Sequence, residues 1–174
     1  MTSMWYVIQT VTGQEETVLE MMRGIIPKES YNECFCIRRE CIEKENGQDK
    51  PVLKALFPGY VFLDTNEPKT VYYSLKNVPK LTKILKNDNE FFLPVAEEEQ
   101  QFLQNIQSEG HVVRLSNVTL DEERQIVAAD GAVGIFFNQI VRQRVRKRYV
   151  LIQQQFLGEE RKIMLGIRVN EEVG

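Results

Sequence analysis

Apolar residues recur at helical spacing in three short stretches of this chain, all before residue 107, while the later apolar runs have strand character. That change of period confines the fold to a mixed helix and strand unit followed by a small all-strand unit. The length of 174 residues suits one compact domain or two small ones. At 43% apolar and 27% charged the composition is that of a globular protein, which excludes a disordered or fibrous chain. No window holds the ~20 consecutive apolar residues of a membrane helix. The opening Met-Thr-Ser-Met-Trp-Tyr-Val lacks the basic and apolar regions of a secretory leader.

Met4 to Thr10 is aromatic and β-branched and reads as a strand. Val18, Leu19, Met22, Ile25 and Ile26 mark a helix that Pro27 stops, with Glu15, Glu16 and Glu20 toward its start. An extended segment from Glu33 through Ile42 leads to Asn46-Gly47, a strong hairpin signal, and a returning strand over Val52 to Phe57. Gly59 to Leu63 is a further strand. Val71, Leu75 and Val78 mark a second helix ended by Pro79, Leu81 to Leu85 reads as a strand, and Pro94 opens a third helix with Phe102, Leu103 and Ile106 inward. The order predicts an α+β sandwich with a largely antiparallel sheet. A polar stretch after Ile106 reads as a linker. Ile135 to Val145, Tyr149 to Phe156 and Arg161 to Leu165, spaced by glycines, predict a small β-barrel.

Charge is uneven. The net of −3 divides into −5 over residues 1–111 and +2 over residues 112–174. Five cations fall within Arg142 to Arg148, and no acid occurs between Asp130 and Glu159. Such a cluster can dock on phosphates. Arginine predominates in it, which suits bidentate contacts to phosphates and guanine edges. A continuous strand would set Arg142, Arg144, Arg146 and Arg148 on one face, whereas a hairpin turn near Gln143-Arg144 would gather them with Lys147 at its tip. Arg161 and Lys162 would widen the surface, and Gln139, Gln143, Gln153 and Gln154 would add base-edge hydrogen bonds.

Metal and catalytic constellations are absent from the sequence. Cys34, Cys36 and Cys41 with His111 lack the paired knuckle spacing of structural zinc sites, so the cysteines read as buried hydrophobes and His111 as an exposed linker residue. Three clustered cysteines also argue for a reducing compartment. One histidine, with no nucleophile elbow and no glycine-rich phosphate loop, predicts no enzyme, no cofactor and no metal.

The most informative segment is Leu56-Phe57-Pro58-Gly59-Tyr60-Val61-Phe62-Leu63, a proline-glycine turn entering an aromatic strand. With Trp5-Tyr6-Val7 before it and Asn77-Val78-Pro79 after it, the chain resembles the NusG family of transcription elongation factors over nearly its whole length. Phe156 to Val169 looks like the closing strands of a KOW-type barrel. Where the family usually has a Gly-Asp start and a Gly-Pro-Phe turn, this chain has Ala129-Asp130-Gly131-Ala132-Val133-Gly134. That departure and the arginine run are most similar to specialised paralogues, the LoaP-type operon-specific antiterminators.

The resemblance implies an N-terminal α/β sandwich, mainly antiparallel with three helices, over residues 1–107, a linker over 108–118 and a KOW-type β-barrel over 119–174. It implies docking on the clamp helices of the largest RNA polymerase subunit through Tyr6, Phe57, Pro58, Tyr60 and Ile84. Lys69 and Thr70 match the place where relatives touch the opposite jaw of the polymerase, and Gln9 and Thr12 the path of non-template DNA. The expected function is suppression of pausing and termination, with recruitment through an RNA hairpin in a leader transcript bound by Arg142, Arg144, Arg146, Lys147, Arg148, Arg161 and Lys162. The expected protein is a cytoplasmic monomer with no membrane partner. Two alternatives stand beside it: a general factor whose barrel binds ribosomal or termination proteins, and a KOW-containing structural RNA-binding protein.

Overall fold

The computed structural model describes residues 4–82, 84–85 and 91–170. The first half of the chain forms β1 (Trp5–Gln9), α1 (Glu15–Ile25), β2 (Glu33–Phe35), β3 (Arg38–Glu45), β4 (Gln48–Ala55), β5 (Tyr60–Asp64), α2 (Pro68–Lys76) and α3 (Pro79–Thr82). The second half forms β6 (Phe92–Pro94), α4 (Glu97–Ile106), β7 (Val112–Val113), β8 (Ser116–Leu120), β9 (Ile126–Ala129) and α5 (Gly131–Ile135). It ends with β10 (Ile140–Arg144), β11 (Tyr149–Phe156) and β12 (Glu159–Val169). Two compact units result, Met1–Ile37 with Phe57–Gln101, and Arg38–Leu56 with Phe102–Gly174. The expected division at 107 and 119 is sequential, and these units are not: the β3–β4 hairpin groups with the C-terminal part of the chain.

The first unit is built on an antiparallel sheet of order β2-β5-β1-β6. Val18, Leu19 and Met22 of α1 and Val71 and Leu75 of α2 pack with Ile8, Val61 and Leu63 of the sheet in one buried cluster. Glu15 and Glu16 occupy the first turn of α1 and Arg23 its last, in agreement with the helix dipole. Ile26 is already extended, as the residue before a proline prefers. The opposite face of the sheet carries Trp5, Phe35 and Phe62, with Trp5 edge-on to Phe35 at 5.0 Å and Phe35 stacked on Phe62 at 5.7 Å.

Two elements differ from the sequence reading. Leu81 to Leu85 does not form the expected strand among the described residues: Pro79–Thr82 is a helical turn, Leu85 bridges Thr10, and Lys83 lies outside the described residues. Leu81 is fully buried in the helix-side cluster, so packing outweighs local strand character there. Pro94 does not open the third helix. It ends β6 opposite Tyr6, on an edge strand that tolerates a missing donor, and α4 begins at Glu97.

In the second unit the β3–β4 hairpin turns at Asn46 (φ 54) and Gly47 (φ 78), the left-handed pair of a type I′ turn. The residues expected as linker instead contribute β7, which pairs in parallel with β3, and the start of β8. A five-stranded sheet follows in the order β10-β11-β12-β8-β9, with β12 and β8 parallel and the other pairs antiparallel. Phe102 of α4 meets Phe136 and Phe156 edge-on at 5.6 and 6.2 Å. The expected strand from Ile135 starts only at Ile140, after a 3₁₀ turn over Phe137–Gln139 and the short helix α5, which ends at Ile135. That helix buries Ala132 and Val133, and Ser116 Oγ accepts from Val133 N–H at 3.1 Å.

Gly166 is buried where β12 passes the backbone of β3, and a methyl group there would collide with the Glu40 carbonyl oxygen and Leu115. Gly166→Ala is expected to destabilise the protein by about 1–3 kcal/mol through overpacking. Gly24→Ala, in open space within α1, is expected to stabilise by about 0.5–1 kcal/mol. Urea denaturation of the two variants checks both signs.

Candidate functional site

The aromatic site is assembled around Thr10. Its N–H donates to the Gly59 carbonyl at 2.8 Å, its hydroxyl donates to the Ile84 carbonyl, and the next N–H, of Val11, donates to the same Ile84 oxygen at 2.9 Å. Phe57-Pro58-Gly59-Tyr60 closes a tight turn, with Tyr60 N–H donating to Phe57 O at 3.1 Å and Gly59 at φ 84. Proline at the second position and a left-handed glycine at the third define a type II turn. Glycine is also required by approach, because a Cβ there would lie 3.0 Å from the Thr10 carbonyl oxygen.

The turn stacks the rings of Phe57 and Tyr60 at 6.2 Å, with Phe57 also 6.1 Å from Phe62. Pro58 is exposed and Tyr60 half-buried, with Phe57 beneath Tyr60 at 8% exposure, whereas the half-buried Ile84 packs against the helix-side cluster and joins this turn only through its carbonyl oxygen. Tyr6 does not join this face. Tyr6 is opposite Leu63 and Gln9 opposite Tyr60, and positions 60 and 63 of a strand point to opposite sides. Tyr6 instead stacks on Phe92 at 5.2 Å. Gln9 lies on the Tyr60 side but is buried, while Thr12 is exposed. Lys69 and Thr70 are exposed in the first turn of α2, which leaves from the other end of β5, where Thr65 N–H bonds Met4 O at 3.0 Å.

The arginine run adopts the hairpin arrangement. Arg142 and Arg144 lie on β10, residues 145–147 form a 3₁₀ turn, and Arg148 closes it in the left-handed conformation at φ 62. Arg142, Arg146 and Lys147 are exposed. Among the described residues, Arg142, Arg144, Arg146 and Lys147 form no salt bridge. The Nε of Arg144 is buried without a hydrogen-bond partner, a state that costs about 1–3 kcal/mol. Lys162 shares the outward face with Arg142, since Arg142, Leu151 and Met164 are in register and Lys162 is two residues from Met164. Arg161 points the other way, donates to Phe156 O at 3.1 Å and pairs with Glu159 at 3.2 Å, so it does not join the cluster. Gln153 is held by Glu160 at 2.6 Å.

A cleft of about 670 Å³ opens beside the run, between residues 123–125 and residues 140–147. Its second wall, the β8–β9 turn with Arg124 and Gln125, escapes sequence reasoning. It lies outside the basic run, behind the acids Asp121, Glu122 and Glu123, and carries no motif.

Among the described residues, no three His, Cys, Asp or Glu side chains converge as a metal site. Burial pushes the Cys34 thiol above its usual range, and Cys41 is also buried. Cys36 is half-buried, its thiol 3.7 Å from Tyr60 O. His111 is not an exposed linker side chain: it is half-buried at φ 59, with Nδ1 2.8 Å from Gln107 Oε1. Brief alkylation of the native protein is expected to label Cys36 before Cys34 and Cys41, and elemental analysis to find zinc well below one per chain. Labelling of Cys34 first, or one tightly held zinc, would contradict this reading of the site.

Comparison with known proteins gives one direction. A family model described as transcription termination factor nusG matches residues 3–104. The transcription termination/antitermination protein NusG of Lactococcus lactis is 30% identical over 138 residues, covering 76% of this chain and 74% of that protein. The same protein of Yersinia pestis is 25% identical over 142 residues, 79% and 77% of the two chains. The solved structure of Thermotoga maritima NusG covers 95% of this chain and 94% of its own, with a TM-score of 0.50 at 16% identity, and supports the fold.

Proposed function

This chain belongs to the NusG family of transcription termination/antitermination factors, and we propose that within it the protein is a LoaP-type antiterminator recruited by a hairpin in leader RNA. The observation that carries the proposal is the hairpin tip with Arg142, Arg144, Arg146 and Lys147, cations without acidic partners beside an open cleft. Charge left unneutralised on a surface favours phosphate, and the arginine fork adds bidentate geometry. Lys162 and Arg148 extend this basic surface. RNA recognition rests on structured shape and exposed loop bases, which a basic hairpin tip can address.

The first unit supplies polymerase binding. Pro58 and Tyr60 form its accessible part, Phe57 supports Tyr60, and Tyr6 and Ile84 contribute from the helix side of the sheet. Aromatic area on a rigid turn loses little entropy on docking to the clamp helices. Lys69 and Thr70, leaving from the other end of β5, reach the opposite jaw, and Thr12 with Gln9 borders the non-template DNA. Bridging the polymerase from its clamp to the opposite jaw in this way holds the clamp closed and suppresses pausing in the cytoplasm of the cell. The action is binding, without bond chemistry.

Tyr60→Ala is expected to weaken polymerase pull-down at least about tenfold, the loss typical of a central aromatic anchor, with an unchanged circular dichroism spectrum. Undiminished binding by the folded variant removes the patch from the mechanism.

For the RNA site, hairpin RNAs are selected from a randomised-loop library against the full-length protein. Arg144→Ala with Arg146→Ala is expected to lower their affinity at least about tenfold and to reduce the salt slope by about one unit for each phosphate that is no longer neutralised. Unchanged affinity and slope would refute the RNA assignment and favour a protein partner for the second unit.

A further inference from the structure

The β8–β9 turn is held rigid by its own first residue. Asp121 Oδ1 accepts from the N–H groups of Glu123 and Gln125, both at 2.9 Å. The main chain of Asp121 bonds Gln125 O at 2.9 Å and Arg124 N–H at 3.0 Å. Arg124 is fixed in the left-handed region at φ 61. The turn is then tied to β10, because Gln143 Oε1 accepts from Ile126 N–H at 3.1 Å. The slot between turn and strand is therefore preformed, with Arg124 and Gln125 on one side and Arg142, Arg144 and Arg146 on the other. Among the described residues, Arg124, Arg142, Arg144, Arg146 and Lys147 line it against a single acid, Glu123.

Size and donor chemistry restrict the occupant. A volume of about 670 Å³ falls within the range of sites for one small ligand. The lining is rich in donors: arginine forks suit a phosphate or the O6 and N7 of guanine, and the Gln125 amide offers both a donor and an acceptor. The Arg144 Nε is buried without a partner among the described residues, and an acceptor entering the slot would satisfy it. We infer that the slot holds one unpaired RNA nucleotide extruded from the helix that the arginine tip grips, with its phosphate against the β10 arginines and its base edge read by Arg124 and Gln125. This inference rests on the RNA-binding reading above and adds to it a second recognition element, the β8–β9 turn.

The test uses the full-length protein and two probes, a blunt RNA duplex and the same duplex with a single bulged guanosine. The bulge is expected to raise affinity at least about fivefold, the lower end of one bidentate base contact. Arg124→Asn with Gln125→Ala is expected to abolish that preference, so that both probes bind with equal affinity, while the salt slope for the blunt duplex falls by no more than about one unit for the cation removed. Asparagine is used because it tolerates the left-handed backbone at position 124. Equal affinity of the unmodified protein for both probes overturns the slot assignment and leaves the arginine tip in place as a shape reader. Retention of the preference by the double variant overturns the role of the turn. Failure to bind either probe overturns the RNA-binding reading itself.

Discussion

Strand β1 is paired along both edges and buried along its whole length, and the first unit is organised by that constraint. A strand with no exposed face cannot slip by one residue, since a slip would exchange every side chain between the aromatic and the helix-side layers. The register therefore sets which residues reach which surface. It also delivers Thr10, at the end of the strand, to the point where the Gly59 turn and Ile84 converge on its backbone. The exposed proline and half-buried tyrosine of that turn are held by main-chain hydrogen bonds, and this is what a rigid docking patch requires.

The second unit places its polar chemistry differently. Its core is conventional, with Val150, Ile152, Phe156, Ile163 and Leu165 buried along β11 and β12. At the β10–β11 tip the same unit leaves several cations without acidic partners and one buried guanidinium nitrogen unsatisfied. A buried unsatisfied group of this kind calls for an explanation, and a functional site is one place where proteins carry it.

Legibility follows the range of the interaction. Asn46-Gly47 and Pro58-Gly59 specify turns through their own backbone preferences, and both turns form. The apolar spacing of α1 and α2 is equally local. Leu81 to Leu85 and Pro94 depart from local expectation because each takes its state from partners far along the chain, Leu81 from the helix-side cluster and Pro94 from Tyr6 across the sheet. α5 is not legible, because two glycines and five residues carry too little periodicity to register.

The candidate sites divide along the same line. The aromatic turn and the arginine run are contiguous in sequence, so residue type and spacing alone determined that they exist and what chemistry they offer. Tertiary structure alone decided that Tyr6 faces away from Tyr60, that Arg161 turns from the basic face while Lys162 stays on it, and that the residues expected as linker carry strands. It also decided that the turn bearing Arg124 stands opposite Arg142. The physical reason is that strand register and sheet closure are set by contacts between distant segments, whose energies no local pattern encodes.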